Sequence, residues 1–254
     1  MKSTTVPTLR ELFEAGVHFG HKKQNSDARG RDNFFGVKNK VVVINLEKTQ
    51  KALELALEFL AAQARRGSMM LFVGTKDQAK EKIEEIAKKL NMPYVTNRWL
   101  GGTLTNFETI KRSVKYLDDL EAKHNENLKN DTGTKKENLL LKRHIEKIKY
   151  NLSGMSEIKR LPDLLVVVGA REEKNAIDEA IVKGIPTVAI LDTDANPRTI
   201  DYPIPANDDA PKSIKLILDL IGETVAANYK SPDAAPAAPP TPEKPAKTTK
   251  VKVG

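Results

Sequence analysis

Two histidines stand three residues apart in the run HFGH, His18 and His21. On a helical turn that spacing sets both imidazoles on one face, where a metal site can begin. Gly20 between them favours a loop, and a metal needs further ligands, which distant Asp192, Asp208 or Asp209 would have to supply. The default for His18 and His21 is a buried or hydrogen-bonded structural role, and no metal is expected. His124 and His144 form no H-E-x-x-H pair, and no G-x-S-x-G elbow presents a nucleophile. The acids of DTDANPRTID and NDD suit an acid–base pair, but equally suit turns and N-caps.

Two turns occupy positions where phosphate loops occur. VGTKDQAKE (73–81) and VVVGAREEKNA (166–176) each follow an apolar run and open an amphipathic one. Neither carries G-x-x-x-x-G-K-[ST], nor the three glycines of a dinucleotide fingerprint. No cofactor or small-molecule substrate is expected, and a nucleotide-binding α/β enzyme is kept only as an alternative. A third stretch, NRWLGGTLTNFETI (97–110), holds the sole tryptophan followed by two glycines at a helix start. Such a turn can cradle an anion. It can also be a joint, with Trp99 and Leu100 buried as a pin and Gly101 and Gly102 allowing tight backbone angles. Thr105 or Asn106 would then cap the helix.

Charge speaks more clearly than any catalytic motif. Lys and Arg number 42 against 34 acids, for a net charge of +8 and a pI of about 9.4. That balance favours polyanions, nucleic acid first. HKKQNSDARGRDNFFGVKNK (21–40) gathers Lys22, Lys23, Arg29, Arg31, Lys38 and Lys40 around two acids. Long cations with Asn and Gln, on a segment with little apolar patterning, suit phosphate contacts. Phe34 or Phe35 can stack on a base or anchor the loop. Arg98, Lys111 and Arg112 are further RNA candidates.

These residues need elements to hold them. Apolar runs alternate with amphipathic ones: VVVIN (41–45), SMMLFVGT (68–75), YVT, DLLVVVGA (163–170), IPTVAILDT and DYPIPAND read as strands, with helices between most of them. Such alternation predicts an open doubly wound parallel sheet of about five strands, flavodoxin-like, with helices on both faces. The block 106–152 breaks the rhythm. Ile110, Val114 and Leu117, then Leu141, Ile145, Ile148 and Leu152, mark two long helices separated by the polar stretch NENLKNDTGT (125–134). They predict an inserted antiparallel coiled-coil hairpin. The domain division is therefore 1–105 with 153–229, the hairpin 106–152, and a Pro/Ala/Lys-rich tail at 230–254 expected to be disordered. The chain has no cysteine, no apolar run approaching the roughly 20 residues of a membrane span, and no signal-peptide core, so a cytoplasmic location is expected.

LFEAGVHFGH, FFGVKNKVVVINLEKT, LFVGTK, NRWLGGTLTNFETIKRSV, LPDLLVVV, EAIVKGIPTVAILDT and IPANDDA follow one another in that order. Together they resemble the bacterial ribosomal protein S-two family, from about Leu9 to about Ala227. The resemblance implies a structural, non-enzymatic protein with a parallel α/β domain and a coiled-coil hairpin. It implies binding to small-subunit ribosomal RNA between head and body, near the messenger exit path. Its partners would be neighbouring small-subunit proteins, with ribosomal protein S-one among them in some bacteria. Two departures stand out. KKQNSDARGRDN replaces the W-N-P-K-M-like segment after G-H, and VVVGAREEKNA lacks the acid often found after that strand. A free RNA-binding regulator would use the same basic surface.

Overall fold

The computed structural model describes residues 6–130, 134–155, 158 and 160–229; the expected tail at 230–254 lies outside them. The N-terminal segment builds a small antiparallel sheet of its own. After α1 (Leu9–Glu14) come β1 (Phe19–Lys22), β2 (Phe34–Lys38) and β3 (Val41–Ile44), in spatial order β1-β3-β2. Two 3-10 turns, Lys23–Asn25 and Ala28–Asn33, lead from β1 to β2. This corrects two expectations. HFGH enters a strand at Phe19 rather than forming a loop, and VVVIN does not join the parallel sheet. Val42 and Ile44 are buried while Val41 and Val43 are half-exposed. That alternation belongs to a strand with one wet face, whereas an inner parallel strand is buried on both.

The helix α2 (Leu46–Arg65) leads into the main sheet, with Asn45 Oδ1 accepting from the backbone N–H groups of Glu47 and Lys48 as its cap. The parallel strands are β4 (Met70–Val73), β5 (Tyr94–Val95), β6 (Leu164–Val168), β7 (Thr187–Leu191) and β8 (Tyr202–Pro205). Their spatial order, β5-β4-β6-β7-β8, is the doubly wound order of a flavodoxin-like fold. The strands β4, β6 and β7 are buried along their whole length, so their runs are continuously apolar instead of alternating.

Alternate residues feed two separate cores. Met70, Phe72, Val166 and Ile190 pack with α2, α3 (Asp77–Leu90) and α7 (Pro211–Asn228). Leu71, Val73, Leu165, Val167 and Leu191 pack on the opposite face with Trp99, Leu104 and α6 (Lys174–Lys183). Each large side chain so buried contributes about 1.5–3 kcal/mol.

Two long helices, α4 (Phe107–Lys129) and α5 (Lys135–Leu152), separate β5 from β6. The first runs on through Lys129, past the expected break at 125, because nothing in that stretch interrupts a helix. Glu121 pairs with Lys149 at 2.9 Å and Asn127 donates to Asn138 at 3.2 Å, so the helices lie antiparallel. The chain returns to the body at Gly154, where an added Cβ would stand 2.2 Å from the Tyr94 carbonyl oxygen. Only glycine fits that crossing.

Candidate nucleic-acid interface

The basic N-terminal segment is tied to the carboxyl ends of β7 and β8. Asp27 N–H donates to the Thr193 carbonyl at 2.8 Å, His21 N–H to Thr193 Oγ1 at 2.9 Å, and Asn207 N–H to the Val17 carbonyl at 3.0 Å. Asn45 N–H donates to the Asn33 carbonyl at 2.9 Å, and the Lys48 ammonium reaches the Asp32 carbonyl. A segment with little core of its own is thus held by backbone hydrogen bonds.

On that scaffold Lys22, Lys23, Arg31, Lys38 and Lys40 are exposed, and none has an acidic partner among the described residues. Arg29 differs. Its guanidinium holds Asp27 in a fork, at 2.9 Å from Nε to Oδ1 and 2.6 Å from Nη2 to Oδ2. Those bonds pull the Asp27 carboxyl down to about 2. Arg98, Lys111 and Arg112 are also exposed and unpaired among the described residues, but they sit elsewhere. Arg98 follows β5, which lies three strand spacings, or about 14 Å, from β7 across the sheet, and Lys111 and Arg112 lie on α4. The structure therefore divides the candidate cations into two groups, one on the N-terminal segment and one after β5 and on α4.

Between the groups lies the switch point where β4 and β6 lead in opposite directions, the place where such folds bind ligands. Here protein side chains fill it. Lys76 Nζ lies 2.5 Å from Asp208 Oδ1, 2.8 Å from Asp209 Oδ1 and 3.6 Å from Glu172 Oε1. Glu173 accepts from Thr75 N–H at 2.7 Å and from its hydroxyl at 2.6 Å. Gly169, at φ +81°, faces the Lys76 stem, and an added Cβ would come within 3.2 Å of it. The Lys76 stem occupies the crevice that a nucleotide phosphate would need.

His21 stands beside this pair. Its Nδ1 lies 3.1 Å from Asp192, and its Nε2 is 3.4 Å from Asp209 and 3.6 Å from Asp194. The hydrogen bond to Asp192 raises the imidazole to about 9 against the opposing effect of burial, with the three carboxylates adding attraction. Asp208 is fully buried, and burial pushes it up to about 7 despite the neighbouring Lys76. The three groups whose ligand atoms converge are His21, Asp192 and Asp209. Asp208 lies outside this set, buried against Lys76, and Asp209, which reaches Lys76 with one oxygen and His21 with the other, takes the place expected for Asp208. One imidazole with two carboxylates is a donor set that a divalent cation accepts. His18 is buried and separate, its ring stacked on Phe13 at 4.3 Å between centroids.

The Gly-Gly turn does cradle an anion, and the anion is the protein's own. Glu179 on α6 accepts from Trp99 Nε1 at 3.0 Å and Gly102 N–H at 2.8 Å through one oxygen. Through the other it accepts from Leu104 N–H at 2.9 Å and from the Thr105 N–H and hydroxyl, both at 3.0 Å. Burial raises this carboxyl, but the hydrogen bonds outweigh it and hold Glu179 below the ordinary value. Trp99 is 8% exposed. Gly102 has φ +90°, whereas Gly101 has an ordinary φ and open space around it, so only one glycine is needed. Neither Thr105 nor Asn106 caps α4: Asn106 makes no side-chain cap, and Thr105 turns to Glu179. No local sequence signal marks Glu179, since an acid within EAIVKG looks like any solvated helix position.

Residues 12–228 match the protein family described as "Ribosomal protein S2". A protein of Nitratiruptor sp. named "Small ribosomal subunit protein uS2" is 44% identical over 218 residues, covering 86% of this chain and 81% of the relative. Proteins of the same name are 41% identical in Acidothermus cellulolyticus, covering 91% and 84%, and 41% identical in Micrococcus luteus, covering 87% and 78%.

Proposed function

The chain belongs to the ribosomal protein S2 family, and from that premise we propose that it is a structural constituent of the small ribosomal subunit that binds small-subunit ribosomal RNA between head and body. The observation that carries the reading is the row of exposed, unpaired cations on a pinned scaffold: Lys22, Lys23, Arg31, Lys38 and Lys40. Arg98, Lys111 and Arg112 form the second group. Arg29 serves mainly to brace the turn, since its fork is taken by Asp27. Trp99 and Gly102 hold the joint from which 106–152 extends as an arm toward neighbouring small-subunit proteins. Ribosomal protein S-one is a further neighbour the resemblance suggests. The relatives are named as ribosomal proteins and not as enzymes, and a switch point filled by Lys76 and its acids accords with a non-catalytic role.

Mechanistically, fixed ammonium groups neutralise phosphates and release counterions, with little reading of base sequence. Sedimentation tests this. The chain should travel with small subunits at low salt and leave them at high salt. A chain that stays at the top of the gradient at low salt refutes the proposal.

A further inference from the structure

The outer face of the N-terminal sheet carries more than charge. Opposite residues in antiparallel strands share a face, so Phe19, Val43 and Gly36 form one row across β1, β3 and β2, and Lys22, Val41 and Lys38 form the next. The two rows lie about 6.6 Å apart along the strands. Val41 and Val43 are half-exposed, and nothing lies within 4 Å of where a Gly36 side chain would begin. The face is thus a small apolar floor that is open over the β2 edge.

Aromatic rings border it. Phe19 is 53% exposed and its ring lies 4.0 Å from that of His18, which stacks in turn on Phe13, itself 59% exposed. The middle ring is buried, and burial lowers the His18 pKa, so the stack is built around a neutral imidazole. Phe35, beside the register shift in β2, is 78% exposed. Exposed phenyl rings preset by a ring behind them, next to lysines without acidic partners, match the chemistry of unpaired nucleotides. Bases stack on the rings while phosphates meet the ammonium groups. Of the segment's two acids, Asp27 is already neutralised by Arg29, which leaves Asp32 alone against the lysines.

Resting on the RNA reading above, we propose that this sheet face is a stacking platform for a single-stranded RNA segment, with Phe19 at its β1 edge as the main stacking ring and Lys22 and Lys38 as its phosphate contacts. This is distinct from shape recognition of folded ribosomal RNA, because it requires bases that are free to leave a helix.

The test uses the full chain and a fluorescently labelled, unstructured ten-nucleotide oligouridine, with binding followed by anisotropy across a range of salt. Phe19→Ala should weaken binding at least about fivefold and leave the salt slope unchanged. Phe19→Leu keeps the apolar contact and should weaken it similarly, whereas Phe19→Trp should retain it. Lys22→Gln with Lys38→Gln should lower the slope. Phe19→Leu and Phe19→Trp keep an apolar side chain against His18, so these two should melt close to wild type and carry the comparison. Equal affinity of Phe19→Leu and the parent chain overturns the proposal, as does preference for an RNA duplex of equal length. Loss of a ribosomal-protein contact in Phe19→Leu with oligouridine binding intact assigns the face to a protein, and also overturns it. Failure of the parent chain to travel with small subunits is a separate result, which strikes at the ribosomal reading.

Discussion

Glu179 does at residue scale what no sequence pattern announced: one carboxylate gathers five donors from the turn between β5 and α4. Replacing it by Gln turns an amide NH2 toward donors that need an acceptor. Glu179→Gln should therefore cost about 1–3 kcal/mol in urea unfolding. Because the folded carboxyl lies below its ordinary value of 4.5, this stabilisation is complete above that pH and fades as pH falls through the folded value. The difference between wild type and Glu179→Gln should shrink in acid. His21 behaves in the opposite sense. Its folded pKa of about 9 lies above the ordinary 6.5, so its contribution is complete below 6.5 and is lost as pH rises through 9. A histidine titration followed by NMR should show His21 still protonated at pH 8, and a midpoint near 6.5 would contradict the carboxylate cluster. The identities of single residues were the least legible part of the sequence. The sequence offers His21 and Asp192 as companions, but the hydrogen bond that spans 172 residues from His21 to Thr193, and the place of Asp209 instead of Asp208 in the cluster, depend on the docking of β1 against the end of β7.

At the scale of elements, the sequence was read well wherever burial is complete. The apolar runs of β4, β6 and β7 and the amphipathic stripes of α2, α3, α6 and α7 stand at the expected places, because a strand covered on both faces leaves a continuous apolar signature. It was misread where burial is partial. VVVIN is apolar on both faces, yet only Val42 and Ile44 point inward, and nothing local reveals that its partners are β1 and β2. The turn before α4 gives a sharp contrast. Gly102→Ala forces a side chain to φ +90° and brings its Cβ within 3.2 Å of Asn106, so it should destabilise the chain by at least about 1 kcal/mol. Gly101→Ala has neither problem and should stay within about 0.5 kcal/mol of wild type. Trp99→Ala should cost about 3–5 kcal/mol and expose the start of α4 to limited proteolysis. Unchanged melting and protease resistance in Trp99→Ala would remove the pin from the joint.

For the whole molecule, the parallel sheet follows from strand–helix alternation, which the sequence displays, while the function does not follow from the fold. A doubly wound sheet usually offers a ligand crevice at its switch point. In this chain Lys76, Asp208 and Glu173 fill that crevice, and unpaired cations line the same end of the molecule. Charge balance was legible from composition; which lysines stay unpaired was not, since Arg29 and Lys22 look alike until Asp27 is placed. The direct measurement is the salt dependence of the chain's affinity for small-subunit ribosomal RNA, compared with a variant carrying Lys22→Gln, Lys23→Gln, Lys38→Gln and Lys40→Gln. Four lost phosphate contacts should weaken binding and flatten the slope of log affinity against log salt by about 3. An unchanged slope in a folded variant would contradict RNA recognition by the N-terminal segment.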